Sequence, residues 1–160
     1  MRAPKRWEDG DSWLVNYIGH PIHGAAAGFV WGAHDPRTRQ AEFGLNAQYW
    51  ATRWRAIAWS AGYSVQFEVG PFSEASIGNV GLRPDTTGWV DYVVTPIGAF
   101  ALMTAEEALD RYFIHWFERR VTNRVARASM RTIFNPSRTV ANLTLTRAPW
   151  HRDGRRLQWK

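Results

Sequence analysis

The chain has 160 residues, with 20 Lys and Arg against 14 Asp and Glu, a formal net charge of +6. This length suits one domain with a core of its own, and the absence of cysteine excludes disulfides and thiolate metal sites. The positive charge favours anionic partners, and the ten tryptophans beside it suit a membrane–water interface as well as a core.

The first residues, MRAPKRWEDGDSW, hold no apolar stretch of the kind found in a secretory signal peptide. Residues 1–11 are expected to form a flexible lead. From Ser12 to His34 there is no Asp, Glu, Lys or Arg. That approaches the roughly 20 residues of a membrane span, but three histidines, Asn16, Pro21 and several glycines fit a helix buried in protein better. Pro21 belongs in a first helical turn. The expected helix therefore runs from near His20 to about Ala33, after a turn or kinked helix over 13–18, and Asp35-Pro36 ends it. Gly24, Gly28 and Gly32 recur every four residues, leaving one face bare for close approach. The Trp50/Trp54 segment is one neighbour for that face.

Phe43, Ala47, Trp50, Trp54, Ile57, Ala61 and Val65 recur at steps of three and four, which predicts a helix over 42–69 with these residues inward and Arg53 elsewhere on the wheel. Gly70-Pro71 stops it. Residues 70–88 read as a loop with a short turn over 73–77, and Thr86 or Thr87 caps the next helix. That helix begins near Trp89, is kinked at Pro96 and continues to about Phe117. A further helix covers 121–134. After Asn135-Pro136, a short helix capped by Ser137 runs to about Leu145, and residues 147–160 form a basic tail. The expected fold is all-α: a compact bundle of four to five helices within residues 12–146.

His20 and His23 are three apart and share a helix face. Glu68 lies in register with Ile57, Ala61 and Ser64 on the apolar side, where a carboxylate needs a partner. Asp91 lies one turn before Thr95 in a run that is otherwise uncharged to Ala105. Three apolar segments thus each carry polar groups that are costly to bury alone, and the economical arrangement brings them together. His20, His23 and Glu68 could then hold a divalent metal such as zinc or iron. Equally, His20, His23, Glu68 and Asp91 could form a catalytic acid–base group supported by Ser73 and Thr95. The same cluster could simply lock helices together, and the spacing is not the His-Glu-x-x-His of a metalloprotease. Arg120, Arg124, Arg127 and Arg131 form a stripe that reads as a solvated face or as a membrane face for anionic lipid. Nucleic acid is disfavoured because no binding motif is present.

Three stretches carry a resemblance: Asn16-Tyr17-Ile18-Gly19-His20-Pro21-Ile22-His23-Gly24, Glu68 with Pro71 and Ser73, and Asp91-Tyr92-Val93-Val94-Thr95-Pro96-Ile97-Gly98. With Asn135-Pro136-Ser137-Arg138 and Asn142, they resemble an uncharacterised family of bacterial helical proteins assigned to the cell envelope. The resemblance implies a periplasmic or membrane-associated protein and supplies no substrate or catalytic residue. The lack of a signal peptide departs from that pattern. The expectation is a non-enzymatic protein that binds a membrane surface or a membrane protein through a Trp/Arg face, with a structural His/Glu/Asp cluster. The alternative is a metal-dependent or acid–base hydrolase acting on a lipid-like substrate at His20, His23, Glu68 and Asp91.

Overall fold

The computed structural model describes residues 7–39, 41–69, 71–72 and 89–157. Among these residues the fold is all-α, with five continuous helices and no strand. A π-helical turn, Val15–Gly19, runs directly into α1, His20–His34. The His20 N–H reaches back to the Val15 carbonyl, widening the helix just before Pro21, whose ring nitrogen has no hydrogen to donate. α2 spans Ala47–Val69, and α3 spans Val90–Leu109 through Pro96. α3 continues through a π-helical turn, Asp110–Ile114, into α4, His115–Arg120. α5, Arg124–Ile133, and α6, Pro136–Thr144, complete the bundle.

α1 is the central element, packed against α2, α3 and α6. Its glycines make this possible. A Cβ on Gly24 would lie 2.8 Å from Thr95 Cγ2 and 2.9 Å from Ser60 Oγ, and one on Gly28 would lie 2.7 Å from Met103 Sδ. Ser60 Oγ donates to the Gly24 carbonyl across the same gap. The core is accordingly built from small residues, Ala25, Ala26, Ala56, Ala99 and Ala141, around Phe29 and Met103.

α2 is rotated about 100° from the expected face, roughly one residue on the wheel, although Ser64 and Glu68 are buried as expected. Tyr49, Thr52, Arg53, Ala56, Ser60, Ser64 and Glu68 are buried, while Trp54 is 62% exposed and stacks on Phe100. Gly24 and Gly28 thus meet the small side of α2 and the side chains of α3, and Gly32 meets Thr38, instead of Trp50 and Trp54. α2 also starts later than residue 42, because the Asn46 side chain accepts the Tyr49 N–H and fixes the first turn there. α5 begins at Arg124, later than the expected 121, because Asn123 caps it by accepting the Ala126 N–H. α6 is capped from outside. Glu106 on α3 accepts the N–H groups of Ser137 and Arg138, so Ser137 lies within the first turn instead of capping it.

Both ends of the described chain are better anchored than a flexible lead and a basic tail would be. The Trp7 carbonyl accepts the Val90 N–H, Trp7 Nε1 donates to Tyr17, and Asp9 is only 2% exposed. After α6, Asn142 Nδ2 donates to the Pro149 and His151 carbonyls, folding the chain back so that Arg152 is buried.

Candidate functional site

α1 and α2 run antiparallel, as do α2 and α3, so the start of α1, the end of α2 and the start of α3 share one end of the bundle. His20, Glu68 and Asp91 stand there, one on each helix, and all three are buried. One ligand atom from each lies within 4.8 Å of the other two. The expected meeting of these three residues is therefore found, and a His/Glu/Asp group of this kind could hold a metal ion.

His23 is not one of the three. Three residues along a helix is about 60° short of a full turn, and α2 aromatics occupy that direction. His23 Nε2 lies 3.0 Å from the Tyr63 hydroxyl, and its ring makes edge contacts with Tyr63 and Phe67. Burial, helped by His20, lowers its pKa, so His23 is neutral at physiological pH. The group that converges is thus His20, Glu68 and Asp91, with Asp91 in the place expected for His23 beside His20 and Glu68. Thr95, one turn after Asp91, packs its methyl against Gly24, and its buried hydroxyl has no hydrogen-bond partner among the described residues. Ser73, Thr86 and Thr87 lie outside the described residues.

The segment before α1 adds two carboxylates that sequence reading missed. His20 Nε2 lies 3.6 Å from Asp91 Oδ1 and 3.9 Å from Asp11 Oδ2. Asp9 accepts from Asn16 Nδ2 at 2.8 Å and from the Asp11 N–H at 3.0 Å. Burial first, then Asp9 hydrogen-bonded beside it, then Glu68 and Asp11, push Asp91 up to about 9, so it holds its proton at neutral pH. Burial also works to raise Asp9, but hydrogen bonds from Asp91, Asp11 and Asn16 outweigh it and keep its carboxyl below the ordinary value. The available signal was Asp9-Gly10-Asp11, where Gly10 has a φ of 104° and turns the chain so that both carboxylates fold back.

The arginine stripe divides. Arg120 is exposed and lies over the Trp116 ring at 4.4 Å, and Arg124 is half-buried. Arg131 is 1% exposed and paired with Glu118, and Arg127 donates to the Glu118 carbonyl. Arg127 and Arg131 therefore bind α5 to α4 instead of facing an anionic surface. They belong to a larger buried network that was not expected. Glu107 takes Tyr49, Arg53 and Arg138; Asp110 takes Arg152 and Arg155; Glu118 takes Arg131 and Arg155. Adjacent acids at Glu106-Glu107 in an apolar helix were its one sequence signal.

Among the described residues, no helix is long and apolar enough to cross a membrane. Comparison with known proteins finds no matching family, no matching curated protein and no matching solved structure, so the reading of this site rests on its own geometry.

Proposed function

We propose that this protein binds one divalent metal ion between His20, Glu68 and Asp91 and uses it for hydrolysis at an apolar surface. The observation that carries the reading is the convergence of three buried ligand atoms, from three different helices, within 4.8 Å of one another. One imidazole and two carboxylates suit zinc, manganese or iron, and three protein ligands leave room for a substrate oxygen. A divalent ion there would polarise an ester or phosphoryl oxygen and lower the pKa of a water. The chain supplies the rest. Asp11, its side chain 36% exposed, stands at the rim beside His20 and can carry a proton to solvent. His23, neutral and bonded to Tyr63, is one turn along the same helix.

Apolar side chains are exposed on the outward sides of α2 and α3 and, past the far end of α3, on α4. Trp54 and Trp59 on α2, Ile97 on α3 and Trp116 on α4 are exposed, and Arg120 over Trp116 adds a cation beside an aromatic ring. This supports contact with lipid or with a membrane protein, in keeping with a cell-envelope location. A second reading is non-enzymatic: the same Trp/Arg surface binds membrane while the cluster only locks helices. Burial of His20 at 7%, Glu68 at 5% and Asp91 at 3% favours it, because a working centre must admit substrate.

Titration calorimetry with zinc and manganese separates the two. The metal reading expects one ion per chain and at least a tenfold loss of affinity in Asp91→Asn. Absence of binding by the unaltered protein removes the metal reading and leaves the structural one. Hydrolysis of p-nitrophenyl esters and phosphates in mixed micelles, abolished by EDTA, tests the reaction. Co-sedimentation with neutral and anionic vesicles tests the surface.

A further inference from the structure

Roughly 28 Å of helix rise separates Asp91 from Asp110, and Asp110 borders a second feature at the opposite end of the bundle. There the later part of α1, the beginning of α2, the end of α3, α6 and the returning chain enclose a cavity of about 320 Å³. This lies within the range that takes small-molecule ligands. One side is apolar, with Ala33, Ala141 and Leu145. Among the described residues, six arginines line the cavity against four carboxylates, leaving an excess of two positive charges.

The inner arginines are committed to protein carboxylates: Arg53 to Glu107, Arg152 to Asp110, and Arg155 to Asp110 and Glu118. Three others keep donors in reserve. Among the described residues, Arg39 donates only through Nε, to the Ala33 carbonyl. Arg138 gives its side chain to Glu107 through one terminal nitrogen, with its guanidinium over the Phe29 ring. Arg147 lies 3.6 Å from Asp153, too far for a hydrogen bond. The surplus charge is felt inside, where burial and the neighbouring Arg138 bring Arg152 down to about 9 despite its Asp110 partner.

We infer that this cavity is a binding site for a small phosphate monoester, its phosphate held by Arg39, Arg138 and Arg147 and its apolar body against Ala33, Ala141 and Leu145. A phosphate monoester carries about −1.5 to −2 charges at neutral pH, matching the excess, and its oxygens suit several guanidinium forks at once. No metal is required, so the site stands independently of the His20 centre.

The test is titration calorimetry with phenyl phosphate in EDTA, which removes any metal that could recruit phosphate at the other end. One molecule is expected to bind per chain. The double variant Arg39→Ala/Arg147→Ala alters one exposed and one half-buried side chain, so it should keep the melting temperature while weakening binding at least tenfold. Phenol should not bind, and phthalate should bind at least tenfold more weakly. The inference is overturned by no binding at millimolar phenyl phosphate, by unchanged affinity in the variant, or by phthalate binding equally well.

Discussion

His20 Nε2 lies 3.6 Å from Asp91 Oδ1, yet Asp91 keeps its proton at neutral pH because burial and the carboxylates of Asp9, Glu68 and Asp11 oppose its charge. Its pKa rises from 3.8 to about 9 on folding, so its contribution to stability is fully present below pH 3.8 and is lost as pH climbs through about 9. His23 contributes nothing to the slope well above its ordinary value of 6.5, being neutral in both states. Between pH 7.5 and 8, below the range where Arg152, lowered to about 9, begins to oppose the trend, the metal-free protein should therefore lose stability at up to about 1.4 kcal/mol per pH unit. Asp91→Asn should flatten that slope in urea melts. Metal affinity should run the other way, rising over the same interval as the proton leaves. A flat stability profile in the unaltered protein would contradict the protonated carboxyl.

The close contacts of the glycines predict three different outcomes for one substitution. A Cβ on Gly98 would lie 2.6 Å from Pro21 Cγ and 2.8 Å from Pro21 Cβ, in a rigid ring at the α1–α3 crossing. Gly98→Ala should destabilise by about 1–3 kcal/mol. Gly28→Ala meets Met103 Sδ at 2.7 Å, but a thioether end can swing aside. It should cost less, because the gain in helix propensity offsets part of the strain. Gly62 has no described atom within 4 Å of the added carbon, and Gly62→Ala should stabilise by up to about 1 kcal/mol. Thermal melts of the three variants should rank in that order.

The same contacts explain how much of this molecule is legible in its sequence. Pro21 and Asp35-Pro36 mark α1 closely, and polar residues stranded in apolar runs are enough to bring His20, Glu68 and Asp91 together. The periodicity of α2 shows that one face is buried but leaves the choice of face open. Hydrophobicity selects Trp50, Trp54 and Val65, whereas the close approach of Gly24 to Ser60 leaves no room for tryptophan on that side. The arginine repeat on α5 is equally ambiguous, since nothing in its spacing shows that Glu118 lies beneath Arg131. Asp9 and Asp11 resemble solvated charges in a polar lead until the Trp7–Val90 backbone bond anchors them over α3.

Glu106 supplies the last prediction, because it caps a helix to which it does not belong. Pro136 has no N–H to satisfy, so the first turn of α6 presents the N–H groups of Ser137 and Arg138, and the Glu106 carboxylate takes them at 2.8 and 3.1 Å. Burial raises the pKa of Glu106, while these two backbone bonds and Arg138 favour its charged form. Glu106→Gln keeps one acceptor oxygen and puts an amide group where the second stood, so one buried N–H loses its partner. That should cost about 1–3 kcal/mol. Glu106→Leu preserves bulk but orphans both groups, and should cost more. Amide hydrogen exchange locates the effect: protection at Ser137 and Arg138 should fall in both variants while the α1–α3 core keeps its own. Equal loss of protection throughout the bundle would mean that Glu106 stabilises the core as a whole instead of holding α6 in place.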